Sequence, residues 1–125
     1  MANTKYKVLL AEDDKFLSVA LGDKLEREGF EVVKAPNGLE AMNLITQEHP
    51  DIILLDLIMP QRTGFQVLEA LKLDADLAKI PVVVLSNLGQ ESDREKAKNL
   101  GAVDYLVKSD VQMGEVVERI KTYLK

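Results

Sequence analysis

The chain has 125 residues, of which 46% are hydrophobic and 30% charged. That size and balance suit a single domain, 1–125, around one core, and exclude a multidomain enzyme. With 16 Lys and Arg against 21 Asp and Glu the net charge is −5, which argues against direct nucleic-acid binding and against attraction to an anionic membrane. There is no cysteine, so disulfides, thiolate chemistry and Cys-bound metals are ruled out. No apolar leader stands at Met1 to Lys7, and no apolar run approaches the roughly 20 residues of a membrane span. A cytoplasmic location is the expectation.

Taken in order, Tyr6 to Ala11 is the first apolar run and reads as a strand. Leu17, Leu21 and Leu25 then recur at helical spacing, with Gly29 where a helix end favours a residue tolerant of positive φ. Gly22 interrupts that helix at a cost of about 1 kcal/mol against alanine, which predicts close packing there. Glu31 to Ala35 is a short strand, and Asn37 with Glu40 resembles a capping box that opens a helix carrying Ala41, Leu44 and Ile45 inward. Asp51 to Leu55 follows as a strand whose unbroken Ile52-Ile53-Leu54-Leu55 predicts cover on both faces.

The second half repeats the pattern. Thr63-x-x-Gln66 and Ser92-x-x-Glu95 are read as capping boxes that open two more helices. Ile80 to Leu85 and Ala102 to Val107 are the fourth and fifth strands. Val111 to Leu124 is a final helix with Met113, Val117, Ile120 and Leu124 on one face. Five strand–helix units in alternation imply an α/β fold with a parallel sheet, right-handed crossovers and helices on both sides. Met42, Met59 and Met113 are read as core or loop filler.

In such sheets ligands bind at the carboxyl ends of the strands. There stand Glu12, Asp13 and Asp14 after strand one, Asp56 after strand three, Ser86 after strand four and Lys108 after strand five. Singly, each has an ordinary structural reading as a helix-start acid, a turn serine or a solvated lysine. Together, three carboxylates from two strand ends repel one another unless a cation neutralises them, and hard oxygen donors point to Mg²⁺ with a phosphate. Asp56 is then placed as a carboxylate nucleophile, with Lys108 and Ser86 on the far side to stabilise an incoming phosphoryl group.

At these positions the chain resembles the receiver domain of bacterial two-component response regulators, of the stand-alone, chemotaxis-regulator-like kind. The matching segments are Leu9 to Asp14, Asp51 to Pro60 with Gly64, Val82 to Ser86, and Gly101 to Lys108. The resemblance implies a flavodoxin-like doubly wound fold with five parallel strands in the order 2-1-3-4-5 and five helices. It also implies that Asp56 takes a phosphoryl group from a phosphohistidine on a sensor histidine kinase or histidine phosphotransfer protein. By the same carry-over Asp13, Asp56 and the Ile58 carbonyl bind Mg²⁺, Glu12 holds a water on the metal, and Lys108 pairs with the phosphate. Ser86 and Tyr105 are the implied switch residues, acting on a downstream protein through the face of helix four, strand five and helix five.

Several positions depart from the family pattern. Ser109 follows Lys108 where proline is usual, and a trans bond is expected because a non-proline cis peptide costs roughly 2.5 to 4 kcal/mol. Ser109-x-x-Gln112 is also a capping-box pattern, so Ser109 is read as an early start of helix five. Ile58 and Leu88 occupy positions that help place a hydrolytic water in this family. Neither can hydrogen-bond one, which predicts a long-lived phospho form. Asn87 brings bulk where a small residue is usual, and this bears on donor access. The lone histidine, His49, is read as a solvated loop residue at the opposite end of the sheet, so the donor must be another molecule.

The leading expectation is thus a stand-alone switch or relay intermediate, monomeric at rest, that processes no substrate but its own phosphoryl group. The alternative is a pseudo-receiver, a binding module independent of phosphorylation, against which the intact Glu12, Asp13, Asp56, Ser86 and Lys108 argue. A haloacid-dehalogenase-like phosphohydrolase would need its nucleophile after strand one. Flavin binding would need donors where the three acids stand.

Overall fold

A computed structural model describes residues 5–124 of the chain, so the leader reading of Met1 to Thr4 lies outside the described residues. The strands are β1 (Lys7–Ala11), β2 (Glu31–Ala35), β3 (Ile52–Leu55), β4 (Val82–Ser86) and β5 (Asp104–Val107). The helices are α1 (Lys15–Arg27), α2 (Gly38–Glu48), α3 (Gly64–Lys72), α4 (Glu91–Asn99) and α5 (Met113–Thr122), with a 3₁₀ turn at Leu77–Lys79. All strand pairs are parallel, and the order across the sheet is β2-β1-β3-β4-β5, the flavodoxin-like arrangement expected.

Side chains alternate across the sheet and divide the core in two. Leu9, Ile53, Leu55 and Val84 face one way and pack with Ile45 of α2, Leu68 of α3 and Ala97 of α4. Val8, Leu10, Ile52 and Leu54 face the other and pack with Leu21 and Leu25 of α1 and Ile120 of α5. Every residue of β3 and β4 is buried, which is why the apolar run in β3 does not alternate. The helices are held unequally: α4, with the sequence ESDREKAKN, buries only Ala97.

Helix ends follow local chemistry where the sequence supplies it. Asp14 caps α1 through Phe16 N–H and Leu17 N–H at 3.0 and 3.2 Å. Asn37 caps α2 through Glu40 N–H at 2.8 Å, and Thr63 with Gln66 forms a complete capping box on α3. α1 and α4 close with the same motif, in which Gly29 (φ 97°) and Gly101 (φ 105°) take the left-handed conformation. The next amide in each case reaches back, Phe30 to Leu25 and Ala102 to Ala97.

Other expectations need correction. Ser92 does not cap α4. The helix begins one residue earlier, at Glu91, with Gln90 preceding it and no side-chain cap bond. Ser109 does not start α5 either: Asp110 N–H bonds to the Val107 carbonyl in a turn after β5, and the helix opens only at Met113. Val111 therefore precedes the helix, and Met113 is exposed rather than inward, while Val116 takes its place in the core. Strands four and five are shorter at their starts than the apolar runs. Ile80 closes the 3₁₀ turn, and Ala102 belongs to the end of α4. Tyr6 and Asp51 fall just outside β1 and β3. The Lys108–Ser109 bond is trans, as expected, since the described residues contain no cis peptide. His49 is exposed and ends α2 in the left-handed region, φ 46°. Gly22 is buried against the Lys34 side chain, in keeping with the close packing predicted. No described helix is long and apolar enough to cross a membrane.

Candidate functional site

The parallel sheet delivers β1, β3, β4 and β5 to one edge with their carboxyl ends together, and the residues singled out above meet there. Glu12 and Asp56 are 3% and 4% exposed, while Asp13 stands in solvent. One carboxylate oxygen from each of Glu12, Asp13 and Asp56 lies within 4.8 Å of the others. Asp14, the remaining acid of the cluster, is turned away to cap α1.

Lys108 crosses the sheet edge from the end of β5 to these acids. Its Nζ lies 2.8 Å from Glu12 Oε1 and 3.0 Å from Asp56 Oδ2. Asp14 N–H donates to Glu12 Oε2 at 3.0 Å, and Ile58 N–H donates to Asp56 Oδ1 at 3.2 Å. Burial pushes the Glu12 carboxyl above the usual range, helped by the nearby Asp56 charge, and the bonds from Lys108 and Asp14 only partly offset it. For Lys108 burial disfavours the charge, but the bonds to Glu12 and Asp56 outweigh it and hold the ammonium above its ordinary pKa. The mutual repulsion expected of the acids is thus met partly by a lysine already in place.

Ser86 is fully buried as the last residue of β4. Its Oγ accepts from Leu88 N–H at 3.3 Å, and the Leu88 carbonyl accepts from the Tyr105 hydroxyl at 2.6 Å. One peptide segment is therefore held by both implied switch residues. Arg94 of α4 covers the Tyr105 ring, its guanidinium carbon 5.1 Å from the ring centroid. Beside it a groove of about 310 Å³ is lined by Arg94, Lys98, Val103, Asp104 and Tyr105. On the same face Asp104 accepts from Arg119 at 2.8 Å and from the Tyr123 hydroxyl at 3.1 Å. Of the two apolar positions around the site, Ile58 is 56% exposed, whereas Leu88 is half-buried against the core. Asn87 is exposed.

Two glycines leave room for the backbone that leads away from Asp56. A Cβ on Gly64 would meet the Asp56 carbonyl oxygen and lie 2.7 Å from Leu57 Cα, and one on Gly38 would meet the Arg62 carbonyl and lie 2.7 Å from Arg62 Cβ. Gly64 already stood in a matched segment of the sequence, whereas the signal that could have found Gly38 is its place at the first residue of a helix. Neither has positive φ, so the poor helix propensity of glycine is accepted there for space.

Residues 8–121 match the response regulator receiver domain family. The chain is 38% identical over 122 residues to the "Probable transcriptional regulator ycf27" of Guillardia theta, covering 98% of this chain but only 46% of that protein. It is also 38% identical over 102 residues to "Protein PilH" of Pseudomonas aeruginosa, across 82% of this chain and 84% of PilH. Among solved structures, the Francisella response regulator 1452 receiver domain superposes with a TM-score of 0.89 at 30% identity, covering 96% of this chain and 97% of that one. Sheet order, the acid and lysine cluster at its edge, and these matches agree: the chain belongs to the response regulator receiver domain family.

Proposed function

We propose that this chain is a phosphorylation switch in a phosphorelay: Asp56 accepts a phosphoryl group from a phosphohistidine on a sensor histidine kinase or phosphotransfer protein, in a Mg²⁺-dependent reaction. The observation that carries the reading is Lys108 Nζ between Asp56 and Glu12, 3.0 and 2.8 Å away, with an Asp13 oxygen in the same cluster. Three carboxylates against one ammonium leave the pocket short of positive charge, and every donor is a hard oxygen, a set that fits Mg²⁺. Asp13, Asp56 and the Ile58 carbonyl would hold the ion, with Glu12 behind them. When bound, Mg²⁺ supplies the charge that offsets the phosphoryl oxygens.

The chain's own groups do the rest. An Asp56 carboxylate oxygen forms the new bond to phosphorus as the phosphorus–nitrogen bond of the donor breaks, its electron pair leaving with the imidazole. Lys108, already bonded to Asp56, has further N–H groups to offer a phosphoryl oxygen. Ser86 can turn its hydroxyl proton to another, which draws on the segment whose Leu88 carbonyl is bonded to Tyr105. The added charge thereby reaches the face of α4, β5 and α5, where a downstream protein would read it. The only turnover is slow loss of the phosphoryl group from Asp56 itself, because neither Ile58 nor Leu88 offers a group to orient water.

The test is intact-protein mass spectrometry after incubation with Mg²⁺ and a small acyl phosphate, beside Asp56→Asn and a metal-free control. One phosphoryl group is expected on the parent and none in either control. An unmodified parent, with a purified phosphohistidine donor as well as with the acyl phosphate, would overturn the reading in favour of a phosphorylation-independent binding module.

A further inference from the structure

Gly38 is buried at the first position of α2, on a strand–helix unit that supplies none of the acids, the lysine or the serine of the site. Its φ is not in the left-handed region, and the cap of α2 comes from Asn37, so neither backbone freedom nor capping explains a glycine there. What the missing side chain provides is a seat for the Arg62 backbone, whose carbonyl oxygen and carbon both lie within collision distance of a Cβ. A backbone neighbour cannot swing aside as a side-chain end can. The contrast is Gly22, where the atom in the way is Cε of the flexible Lys34 side chain, at 2.7 Å.

Arg62 belongs to the segment 57–63 that joins Asp56 to α3. This segment has little slack. Gly64 N–H bonds to the Leu57 carbonyl at 3.0 Å, Arg62 N–H bonds to the Pro60 carbonyl at 2.8 Å, and Thr63 is fixed by its capping box. Gln61 is already in the left-handed region at φ 70°, a conformation that costs a non-glycine residue energy. Leu57 and Met59 are sunk in the core on either side of the exposed Ile58. A push at Arg62 therefore runs along a taut segment toward the Ile58 carbonyl.

We infer that Gly38 is a positioning residue for the Ile58 carbonyl: by leaving room for Arg62 it sets the path of residues 57–63 and hence the Mg²⁺ affinity of the site. This rests on the reading that the site binds Mg²⁺. The experiment is a ¹⁵N NMR titration with MgCl₂ of the parent, Gly38→Ala and Gly22→Ala, with thermal melts of all three to establish that each is folded during the titration. The expected result is a Mg²⁺ Kd at least fivefold weaker in Gly38→Ala, with the Ile58 and Gly64 amides displaced before any metal is added, and a Kd within twofold of the parent in Gly22→Ala. Loss of stability without a change in Kd would overturn the inference, as would displacement confined to the amides of α2. If the parent itself does not respond to MgCl₂, the Mg²⁺ reading fails instead.

Should Gly38→Ala not fold, the parent decides. Coupling through the Gly38–Arg62 seat requires both of those amides to shift with Ile58 during the titration, and shifts limited to residues 12–14 and 56–58 would overturn it.

Discussion

Replacing Lys108 by methionine keeps the length of the side chain and removes the charge that sits between Glu12 and Asp56. Both carboxylates are almost wholly buried, and the lysine bonds to them at 2.8 and 3.0 Å with its own side chain only 16% exposed. Removing one partner from a buried ionic cluster typically costs 3–5 kcal/mol, because the remaining charge is left without a counter-ion. The mouth of this site admits water at Asp13, so the lower end of that range, about 3 kcal/mol, is expected. In a domain of this size that corresponds to a fall of roughly 12 °C in Tm. Mg²⁺ should restore part of the loss by occupying the same acids, about 1.4 kcal/mol at ten times its Kd. The assay is urea denaturation of parent and Lys108→Met with and without MgCl₂, followed by circular dichroism. A second change, Glu12→Gln, should return most of the lost stability to Lys108→Met by removing one of the unpaired charges. A loss below 1 kcal/mol, or one that Glu12→Gln does not relieve, would refute the view that Lys108 serves as the resting counter-ion of the cluster.

Ile58→Asn places a group able to orient water beside Asp56, the proposed phosphoacceptor, and should speed loss of the phosphoryl group roughly tenfold or more, measured by mass spectrometry after donor removal. Burial acts to raise the Asp104 carboxyl pKa, but the bonds from Arg119, the Tyr105 amide and the Tyr123 hydroxyl together hold it below the usual carboxylate range. The stabilisation from Asp104 is therefore present above its unfolded pKa near 4 and lost as pH falls through the lower folded value. Because Arg119 is 41% exposed, the contribution is small, about 1 kcal/mol. Asp104→Asn should lose it at pH 7 and show a shallower acid limb in urea melts between pH 2 and 5. Gly114→Ala, where an added Cβ meets nothing, should stabilise by about 0.5–1 kcal/mol, whereas Gly101→Ala at φ 105° should destabilise by a similar amount or more. Equal signs in thermal melts would contradict the structure at one of the two positions.

The fold was readable where the determinant is local or periodic. Ile52 to Leu55 announced a strand covered on both faces because its apolar run is unbroken, and Thr63 and Gln66 announced a helix start because these two bonding partners lie within one turn of chain. The same pattern failed at Ser92 and Ser109. A spacing of three residues does not register that the turn after β5 takes Asp110 into a bond with Val107, which delays α5 to Met113. Boundaries of the apolar runs failed for a related reason: Ile80 and Ala102 are half-buried by neighbouring turns, so hydrophobicity extends past the hydrogen-bonded strand. Within the site, the residues were legible as a set, because each ends or follows a strand that a parallel sheet delivers to one edge. Their joining by Lys108 was not, since it spans 96 residues to Glu12 and 52 to Asp56. Nor was the space left by Gly38 and Gly64, which is a property of neighbours brought up by the fold.

The shallow anchoring of α4 has an evolutionary corollary. Its sequence ESDREKAKN commits one side chain, Ala97, to the core, while Arg94 covers Tyr105 and Lys96 covers Phe65, so the exposed Glu91, Ser92, Glu95, Lys98 and Asn99 can be substituted with little effect on stability. The acids, Ser86 and Lys108 sit on strand ends or the loops just after them, where the proposed chemistry needs them. A lineage of duplicated copies can therefore rewrite the outer surface of α4, one side of the groove beside Tyr105, while keeping the chemistry at the sheet edge intact. On the proposed reading, recognition can therefore diverge at α4 while the groups at the sheet edge stay as they are.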